Sequence, residues 1–454
     1  MRWMKWRREG ISEPAVGESN VLVLALLALI AGAGSGLIAA VFRLGLERAD
    51  HWRDMLISLG HDQPLIGFVL VVAGCAAAVA LAAWLVRRFS PQASGSGIPQ
   101  VEAALSGDLP PAPSQIVTVK FAGGLLAIGA GMALGREGPS VQMGAVVAHM
   151  LGKWFHCSWP DRRTLLAAGA GAGLAVAFNA PIAGAIFVLE ELVRRFETRI
   201  AVAALAASST AILISRLFLG DAPDFQVTVS TQAATATGPL PYAVAAVWPL
   251  YLTLGIVEGV GASLYSRAIL GAMSLAARLG DRWPVEMQAA AIGALIGVIG
   301  WFVPGLIGGG DEITQRLLAS SSVTAIIPFA FLVRFGLGAV CYAAHTPGGL
   351  FAPLLVLGAQ LGFICGALCQ VIFPDLGIDP AAFAVVGMAA FFTGVVQAPI
   401  TGIVLVTEMT AAFTTLLPML AACFVAMVVV NLLRTAPIYD SLREGVIKAG
   451  RLSS

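Results

Sequence analysis

Apolar runs without any Asp, Glu, Lys or Arg recur along the chain and predict its fold class. About 20 apolar residues are enough to cross a bilayer core as a helix. The runs that reach this length are residues 19–42, 63–86, 164–189, 287–310, 335–374, 380–407 and 411–433. Aliphatic residues fill every register of these runs, so they fit neither alternating barrel strands nor the one-sided helices of a soluble protein. The pattern predicts an all-α, polytopic integral membrane protein.

The two halves of the apolar region are related to each other. Residues 180–190 read APIAGAIFVLE and residues 398–408 read APITGIVLVTE, with six of eleven positions identical. A Gly- and Pro-rich break precedes each element at a similar distance: GREGP at 135–139 and GGLFAP at 348–353. In many transporters the binding site lies where broken helices of two inverted repeats meet. We therefore expect two inverted-topology helical repeats with many broken or half-spanning helices, although the sequence itself displays only the repetition.

Basic residues at both ends of the chain predict its orientation and its divisions. They are Arg2, Lys5, Arg7, Arg8, Arg434, Arg443, Lys448 and Arg451. Because Lys and Arg flank membrane spans mainly on the cytoplasmic side, both termini are predicted to be cytoplasmic, which requires an even number of crossings. The predicted divisions are a basic segment 1–19, a first repeat 20–220, an extramembrane loop 221–241, a second repeat 242–434 and a short tail 435–454.

Composition excludes several other classes of function. Of the 454 residues, 58% are hydrophobic and only 12% are charged, whereas soluble domains carry about a quarter charged residues. A net charge of +1 without a long basic tract argues against nucleic acid as a partner. The chain contains no H-E-x-x-H, no G-x-S-x-G and no P-loop, so we expect neither an enzyme nor ATP-driven transport. Its histidines are scattered and its six cysteines lie mostly in apolar runs, so no metal or other cofactor is expected.

The sequence GSGIP at 95–99 predicts a helix start that can bind an anion. Ser96 stands like an N-cap before a helix with Pro99 in its first turn. Gly95 and Gly97 leave backbone N–H groups unobstructed, and free N–H groups at the positive end of a helix dipole bind anions. In GGLFAP, Gly349 likewise precedes a helix start with Pro in its first turn.

In GREGP, Glu137 lies between two uncharged stretches of fifteen residues, 121–135 and 138–152. A charge at bilayer depth costs roughly 2.5 kcal/mol or more, so it is a functional hypothesis by default. Glu137 opens a new helix beside Gly138, so its carboxylate could occupy the anion site and protonation would vacate that site. The alternative is an interfacial ion pair between Arg136 and Glu137.

Glu190 and Glu191 end the charge-free run 164–189. Mutual repulsion favours protonation of at least one of two adjacent carboxylates, so this pair could accept a proton near neutral pH. The alternative is an ordinary helix end with ion pairs to Arg194 and Arg195. Tyr439 follows the last apolar run, where a lone tyrosine is usually an interface anchor.

Together these motifs resemble the CLC family of chloride channels and chloride/proton antiporters. The resemblance rests on the order of GSGIP, GREGP, GGLFAP and the tail tyrosine, with an AP-I-x-G element in each half, and it covers residues 20–442. It implies an inverted-repeat membrane protein that works as a homodimer with one pathway in each subunit. Because only about twenty residues follow the last apolar run, the regulatory C-terminal domains of eukaryotic relatives are not expected. A bacterial inner-membrane protein is the corresponding expectation.

The resemblance also implies residue roles. The anion-binding residues would be Gly95, Ser96, Gly97, Glu137, Gly138, Gly349, Leu350, Phe351 and Tyr439. Among them Ser96 and Tyr439 would offer hydroxyl groups, and Leu350 and Phe351 backbone N–H groups. Glu137 would be the external gate that competes with chloride and carries a proton, and Glu191 the internal proton acceptor. Glu190 is a further proton-transfer candidate that either tunes Glu191 or pairs with Arg194.

The implied function is secondary active exchange of chloride for protons. The alternative is a passive, voltage- or pH-gated chloride channel, but such members of the family typically lack the internal glutamate, so Glu191 favours the antiporter. Nitrate-preferring relatives tend to have Pro in place of Ser96, and fluoride exporters alter GSGIP and GREGP. Chloride is therefore the expected substrate, with bromide and nitrate able to pass.

Overall fold

The computed structural model describes residues 20–227, 240–280, 282–319 and 326–452. Within them the backbone forms seventeen α-helices, which confirms the predicted all-α fold. The first eight are α1 (Val21–Gly60), α2 (Pro64–Phe89), α3 (Ile98–Leu105), α4 (Gln115–Gly129), α5 (Glu137–Trp154), α6 (Trp159–Phe178), α7 (Pro181–Phe187) and α8 (Thr198–Leu219). The others are α9 (Leu240–Gly280), α10 (Val285–Phe302), α11 (Asp311–Ala319), α12 (Ile326–Tyr342), α13 (Phe351–Ile372), α14 (Pro380–Val396), α15 (Pro399–Thr410), α16 (Leu416–Leu432) and α17 (Ile438–Leu452).

The lengths of these helices fit a membrane protein with broken spans. Among the described residues, seven helices are long and apolar enough to cross a membrane: α1, α2, α8, α9, α10, α13 and α16. By contrast, α3 has eight residues and α7 has seven, which is too short to span. The chain is thus an integral membrane protein with broken and half-spanning helices. The predicted segment 1–19 and most of the predicted loop 221–241 lie outside the described residues.

Two apolar runs are divided at matching places. The run 164–189 contains α6 and α7, separated at Asn179, and the run 380–407 contains α14 and α15, separated at Gln397. Both residues have the left-handed backbone conformation, with φ of 49° and 64°. A proline two residues later, Pro181 or Pro399, starts the next helix.

The two repeats are inverted relative to each other. Glu190, just after α7, accepts hydrogen bonds from the first N–H groups of α15, at Ile400 (3.0 Å) and Thr401 (2.6 Å). Glu408, near the end of α15, accepts the equivalent bonds at the start of α7. Because the end of each helix meets the start of the other, the two matched helices run antiparallel, which confirms the expected inversion.

Small residues let the long helices of both repeats cross closely. Gly32 of α1 lies against the backbone of Ala207 in α8, and Gly255 of α9 lies against Ala422 in α16. A Cβ atom at either glycine would come within 3 Å of the neighbouring backbone. Close backbone approach of this kind is a general source of helix association in lipid.

Candidate functional site

Backbone hydrogen bonds join the three Gly-rich breaks. The N–H of Gly95 donates to the carbonyl of Thr346 at 3.0 Å, and the N–H of Gly348 donates to the carbonyl of Gly95 at 3.1 Å. Gly135 and Gly349 exchange two bonds, at 2.9 and 2.7 Å. The sequence-distant motifs GSGIP, GREGP and GGLFAP therefore meet at one place, where α3, α5 and α13 begin.

The GSGIP break presents the hydroxyl of Ser96 beside the start of α3. Gly95 and Gly97 adopt positive φ angles of 65° and 89°, a conformation that glycine reaches without strain. The N-cap residue of α3 is Gly97, so the expectation that Ser96 is the N-cap is wrong by one residue. The Ser96 hydroxyl nevertheless accepts a hydrogen bond from the N–H of Ile98 at 3.1 Å and is buried. A hydroxyl group can also donate its own proton to a second acceptor.

Glu137 is the first residue of α5 and is fully buried. One carboxylate oxygen, Oε1, accepts a hydrogen bond from the N–H of Phe351 at 2.6 Å. The other oxygen, Oε2, is buried and makes no hydrogen bond with the described residues. The carboxylate of Glu137 therefore lies on the first amide of α13, where an anion is expected to bind.

The predicted alternative, an ion pair between Arg136 and Glu137, is not formed. Arg136 donates instead to the carbonyl of Ala177 at 2.9 Å and to the carboxylates of Asp311 (3.1 Å) and Asp224 (3.3 Å). Asp224 lies in the segment that follows α8. Arg136 thus ties the break to the end of α6, to α11 and to the segment after α8, whereas Glu137 contacts the start of α13.

Gly138 and Gly349 allow the helix starts to approach each other. A Cβ atom at Gly138 would lie 2.6 Å from the carbonyl oxygen of Ser96. A Cβ atom at Gly349 would overlap the carboxyl group of Glu137. Leu350 is the N-cap residue of α13, and its side chain is completely buried. These positions therefore bring backbone rather than side chains to the junction.

Tyr439 lies in the first turn of α17 and is fully buried at the same junction. Its phenol is near the Ser96 hydroxyl and within electrostatic reach of Glu137 and Glu191. The phenol oxygen makes no hydrogen bond with the described residues. The ring of Phe351, 5.8 Å from that of Tyr439 between centroids, forms part of an apolar wall. The other rings of this wall are Phe178, Phe187 and Phe392.

Glu191 lies within electrostatic reach of Tyr439, in the π-helical turn Val188–Leu192 that continues α7. It is 3% exposed and pairs with Arg194 at 3.5 Å. Arg194 also pairs with Glu102 of α3 at 3.4 Å and with Asp440 of α17 at 2.6 Å. Glu191 therefore belongs to a cluster of charges that joins three elements next to the junction.

Glu190 has a different environment from its neighbour Glu191. Its two carboxylate oxygens accept the hydrogen bonds from α15, including one from the hydroxyl of Thr401 at 2.7 Å. Arg194 pairs with Glu191 and not with Glu190 within the described part of the chain. This position favours a capping role, and proton transfer by Glu190 stays a prediction.

Comparisons with known proteins bear on this geometry. A family model described as "Voltage gated chloride channel" matches residues 78–431. The chain belongs to the CLC family. The H(+)/Cl(-) exchange transporter ClcA of Vibrio vulnificus strain YJ016 is 34% identical over 443 residues, covering 96% of this chain and 92% of that protein. The ClcA transporter of Cronobacter sakazakii strain ATCC BAA-894 is 36% identical over 435 residues, covering 94% and 90%. The crystal structure of a slow cyanobacterial Cl-/H+ antiporter superposes with a TM-score of 0.86 at 32% identity, covering 95% of this chain and 99% of that one.

Charged residues that no motif of this CLC protein indicates also hold the junction together. Lys120 of α4 is fully buried, and its ammonium donates to the carbonyls of Ala93 (3.0 Å) and Gly95 (2.7 Å). The feature of the sequence that could have indicated Lys120 is that it is a single cation inside an otherwise uncharged helix. Arg443 of α17 pairs with buried Glu102 at 3.0 Å, a contact across more than 300 residues that no local pattern indicates.

Proposed function

We propose that this CLC protein is a secondary active antiporter that exchanges chloride for protons. The observation that carries the proposal is the Glu137 carboxylate on the N–H of Phe351, where three Gly-rich breaks meet. A helix N-terminus that binds a carboxylate is also suited to a chloride ion. The relatives named as H(+)/Cl(-) exchange transporters and the antiporter of similar structure support the same activity.

The anion site would consist of hydroxyl and backbone N–H donors. The Ser96 hydroxyl accepts from Ile98 and still has a proton to donate, and the phenol oxygen of Tyr439 lies buried nearby without an acceptor or donor within hydrogen-bond geometry among the described residues. Buried polar groups normally have partners, so both hydroxyls are suited to donate to a bound anion. Leu350 and Phe351 would supply N–H groups, and Gly95, Gly97, Gly138 and Gly349 would keep the approach open. Such neutral donors bind a halide without holding it too tightly for transit. Bromide and nitrate should be accepted by this site as well.

Coupling would follow from the two states of Glu137. Ionised, its carboxylate occupies the Phe351 amide and competes with chloride. Protonated, it is neutral and leaves that amide to the anion, so one site holds the two exchanged species in turn. Each exchange cycle therefore moves a proton and an anion in opposite directions across the membrane.

Glu191 would accept protons from the opposite side. It is buried beside Arg194 and within electrostatic reach of Tyr439, whose phenol also lies within reach of Glu137. A passive channel would have no use for a second buried carboxyl group at this place. This observation favours the antiporter over the channel of the same family.

The side that carries Glu191 would be cytoplasmic. It is rich in basic residues, including Arg163, whose side chain donates to the end of α3, and Arg194, Arg199 and Arg443 in the neighbouring ion pairs. This distribution supports the predicted cytoplasmic termini. The homodimer with one pathway per subunit and the bacterial inner membrane stay predictions of the family resemblance.

The test is proton movement in liposomes that contain the purified protein. Chloride-loaded liposomes are given an outward chloride gradient, with valinomycin and potassium to control the voltage, and the pH of the bath is recorded. We expect chloride efflux to drive protons inward, and we expect Glu191→Gln to lose proton uptake while chloride flux persists. Chloride flux without proton movement in the wild type would replace the antiporter by the channel. If chloride did not move at all, the proposed substrate would be wrong.

A further inference from the structure

One buried carboxyl group takes no part in the proposed exchange. Glu258 of α9 is 0% exposed and lies inside the candidate span Val247–Gly280. Both of its carboxyl oxygens are buried and accept no hydrogen bond from any described residue. Glu102, Glu137 and Glu191, the other fully buried glutamates of the described part, each have at least one partner. Because an unpaired ionised carboxylate is costly away from water, Glu258 is expected to hold a proton at neutral pH.

Glu258 lies where α13 and α14 cross. Gly358 of α13 and Gly387 of α14 bring the two backbones into contact. A Cβ atom at Gly387 would lie 2.6 Å from Oε1 of Glu258, so the carboxyl group touches the crossing itself. The same α13 begins at Phe351, whose N–H holds Glu137.

The first repeat has a neutral residue at the corresponding position. Ser35 stands between Gly32 and Gly36 of α1 with the same spacing that Glu258 has between Gly255 and Gly259 of α9. The hydroxyl of Ser35 donates to the carbonyl of Gly144 at 3.1 Å. Gly144 of α5 packs on Gly169 of α6 as Gly358 packs on Gly387. A protonated carboxyl group has an O–H donor that can serve in the same way as the serine hydroxyl.

We propose that Glu258 is a positioning residue that holds one proton and uses it as a hydrogen-bond donor at the crossing of α13 and α14. Loss of this proton at alkaline pH would place a negative charge between two contacting backbones and displace α13. The amide of Phe351 moves with α13, so anion binding weakens. The effect on binding rests on the proposed anion site, whereas the effect on packing does not.

Among the described residues, the groups around Glu258 supply no compensating cation. Cys365 of α13 and Cys423 of α16 lie within electrostatic reach of it. On its own helix, Tyr265 is fully buried. On α12, Arg334 donates to the carbonyls of Leu306, Gly308 and Gly309. The described helix α14 has no titratable residue at all. An ionised Glu258 would therefore have only neutral or acidic neighbours.

The first test is the melting temperature of the purified full chain between pH 7 and pH 10. At pH 7 we expect Glu258→Gln to match the wild type, because its amide keeps a donor, and we expect Glu258→Ala to melt several degrees lower. Towards pH 10 the wild type should lose several degrees more than Glu258→Gln. Ser35→Ala is the matched control, which should be destabilised by the same amount at both pH values. Parallel melting of wild type and Glu258→Gln at all pH values, or a stable Glu258→Ala, would overturn the proposal.

The second test is chloride binding by calorimetry in the Glu137→Gln background, where competition by Glu137 is absent. We expect chloride affinity to fall several-fold from pH 7 to pH 10, and to stay constant when Glu258→Gln is added. If the chloride affinity of the Glu137→Gln single variant did not change with pH, the proposed link between Glu258 and α13 would be contradicted. Absence of chloride binding at any pH would instead refute the proposed anion site, and the melting curves would still decide the role of Glu258.

Discussion

At the residue scale, most charges and hydroxyls of the junction are satisfied by backbone groups. Glu137 accepts from an N–H group, Lys120 donates to two carbonyls, and Ser96 accepts from the start of α3. Hydrogen bonds to charged groups contribute about 1.5–3 kcal/mol, and leaving such a group unpaired in the interior costs more. The unpaired phenol of Tyr439 and the unpaired oxygen of Glu137 are two exceptions among the described residues. They are the groups that the proposed exchange uses.

Tyr439→Phe should weaken chloride binding. The variant removes a buried hydroxyl that is proposed to donate to the anion, and a hydrogen bond to a charged ligand is worth roughly 1.5–3 kcal/mol. We expect chloride affinity, measured by calorimetry, to fall about tenfold or more. Tyr265→Phe is the matched control, because Tyr265 is equally buried and its hydroxyl also has no partner among the described residues. Equal losses in both variants would argue against a role of Tyr439 in the anion site.

At the element scale, helix ends decide the architecture. Three helices begin at the junction because Gly-rich breaks interrupt long apolar runs. The matched helices α7 and α15 cap each other. Glu190, just after α7, caps the start of α15, and Glu408 of α15 caps the start of α7. A carboxylate at a helix N-terminus satisfies free N–H groups and interacts favourably with the helix dipole. These caps hold the two repeats together across their pseudo-twofold relation.

Glu190→Ala and Glu408→Ala should have matching effects on stability. Each variant leaves two helix N–H groups without their carboxylate, which costs about 1 kcal/mol for a typical cap. We expect similar decreases in melting temperature, and an unchanged ratio of protons to chloride in liposomes. A changed ratio in Glu190→Ala alone would show that Glu190 transfers protons, as its sequence position first suggested.

At the scale of the whole molecule, two separate charged clusters adjoin the junction. One joins Arg136 to Asp224 and Asp311, and the other joins Glu191 to Arg194. We propose that the two clusters lie on opposite sides of the Phe351–Glu137 contact. An anion and a proton that enter from opposite faces would therefore meet at the same carboxyl group.

The orientation can be tested with an impermeant thiol reagent on intact cells. Asp375 and Phe196 are both exposed. They lie on opposite faces because α14 begins close to Asp375 and ends next to α15, and the start of α15 bonds to Glu190, which lies close to Phe196 in the chain. We expect Asp375→Cys to be labelled from outside and Phe196→Cys to be labelled only after the cells are opened. The wild type measures the background from the native cysteines. The reverse pattern would contradict cytoplasmic termini.

The sequence predicted the membrane class, the inverted repeats and the residues that meet at the junction. The membrane class and the repeats follow from local features, namely charge-free runs, a repeated element and glycines beside prolines. Tyr439 was expected at the junction only from the family resemblance, because a lone tyrosine after an apolar run is usually an interface anchor. The separation of Glu190 from Glu191 could not be predicted, because a π-helical turn directs two adjacent carboxylates to different elements. The contacts of Lys120 with the GSGIP break and of Arg443 with Glu102 depend on tertiary packing in the same way. The burial of Glu258 and the helix crossing that it touches were not predicted either, because both depend on tertiary packing.

The central claim is that chloride and the carboxylate of Glu137 compete for one site. The most direct measurement is chloride affinity of the purified protein by calorimetry as a function of pH, in the wild type and in Glu137→Gln. Ionised Glu137 occupies the Phe351 amide, so wild-type affinity should rise as the pH falls and Glu137 takes up a proton. In the range below pH 7, Glu137→Gln should bind chloride tightly and without dependence on pH. A wild-type affinity that does not change with pH, or that changes equally in Glu137→Gln, would contradict the shared site.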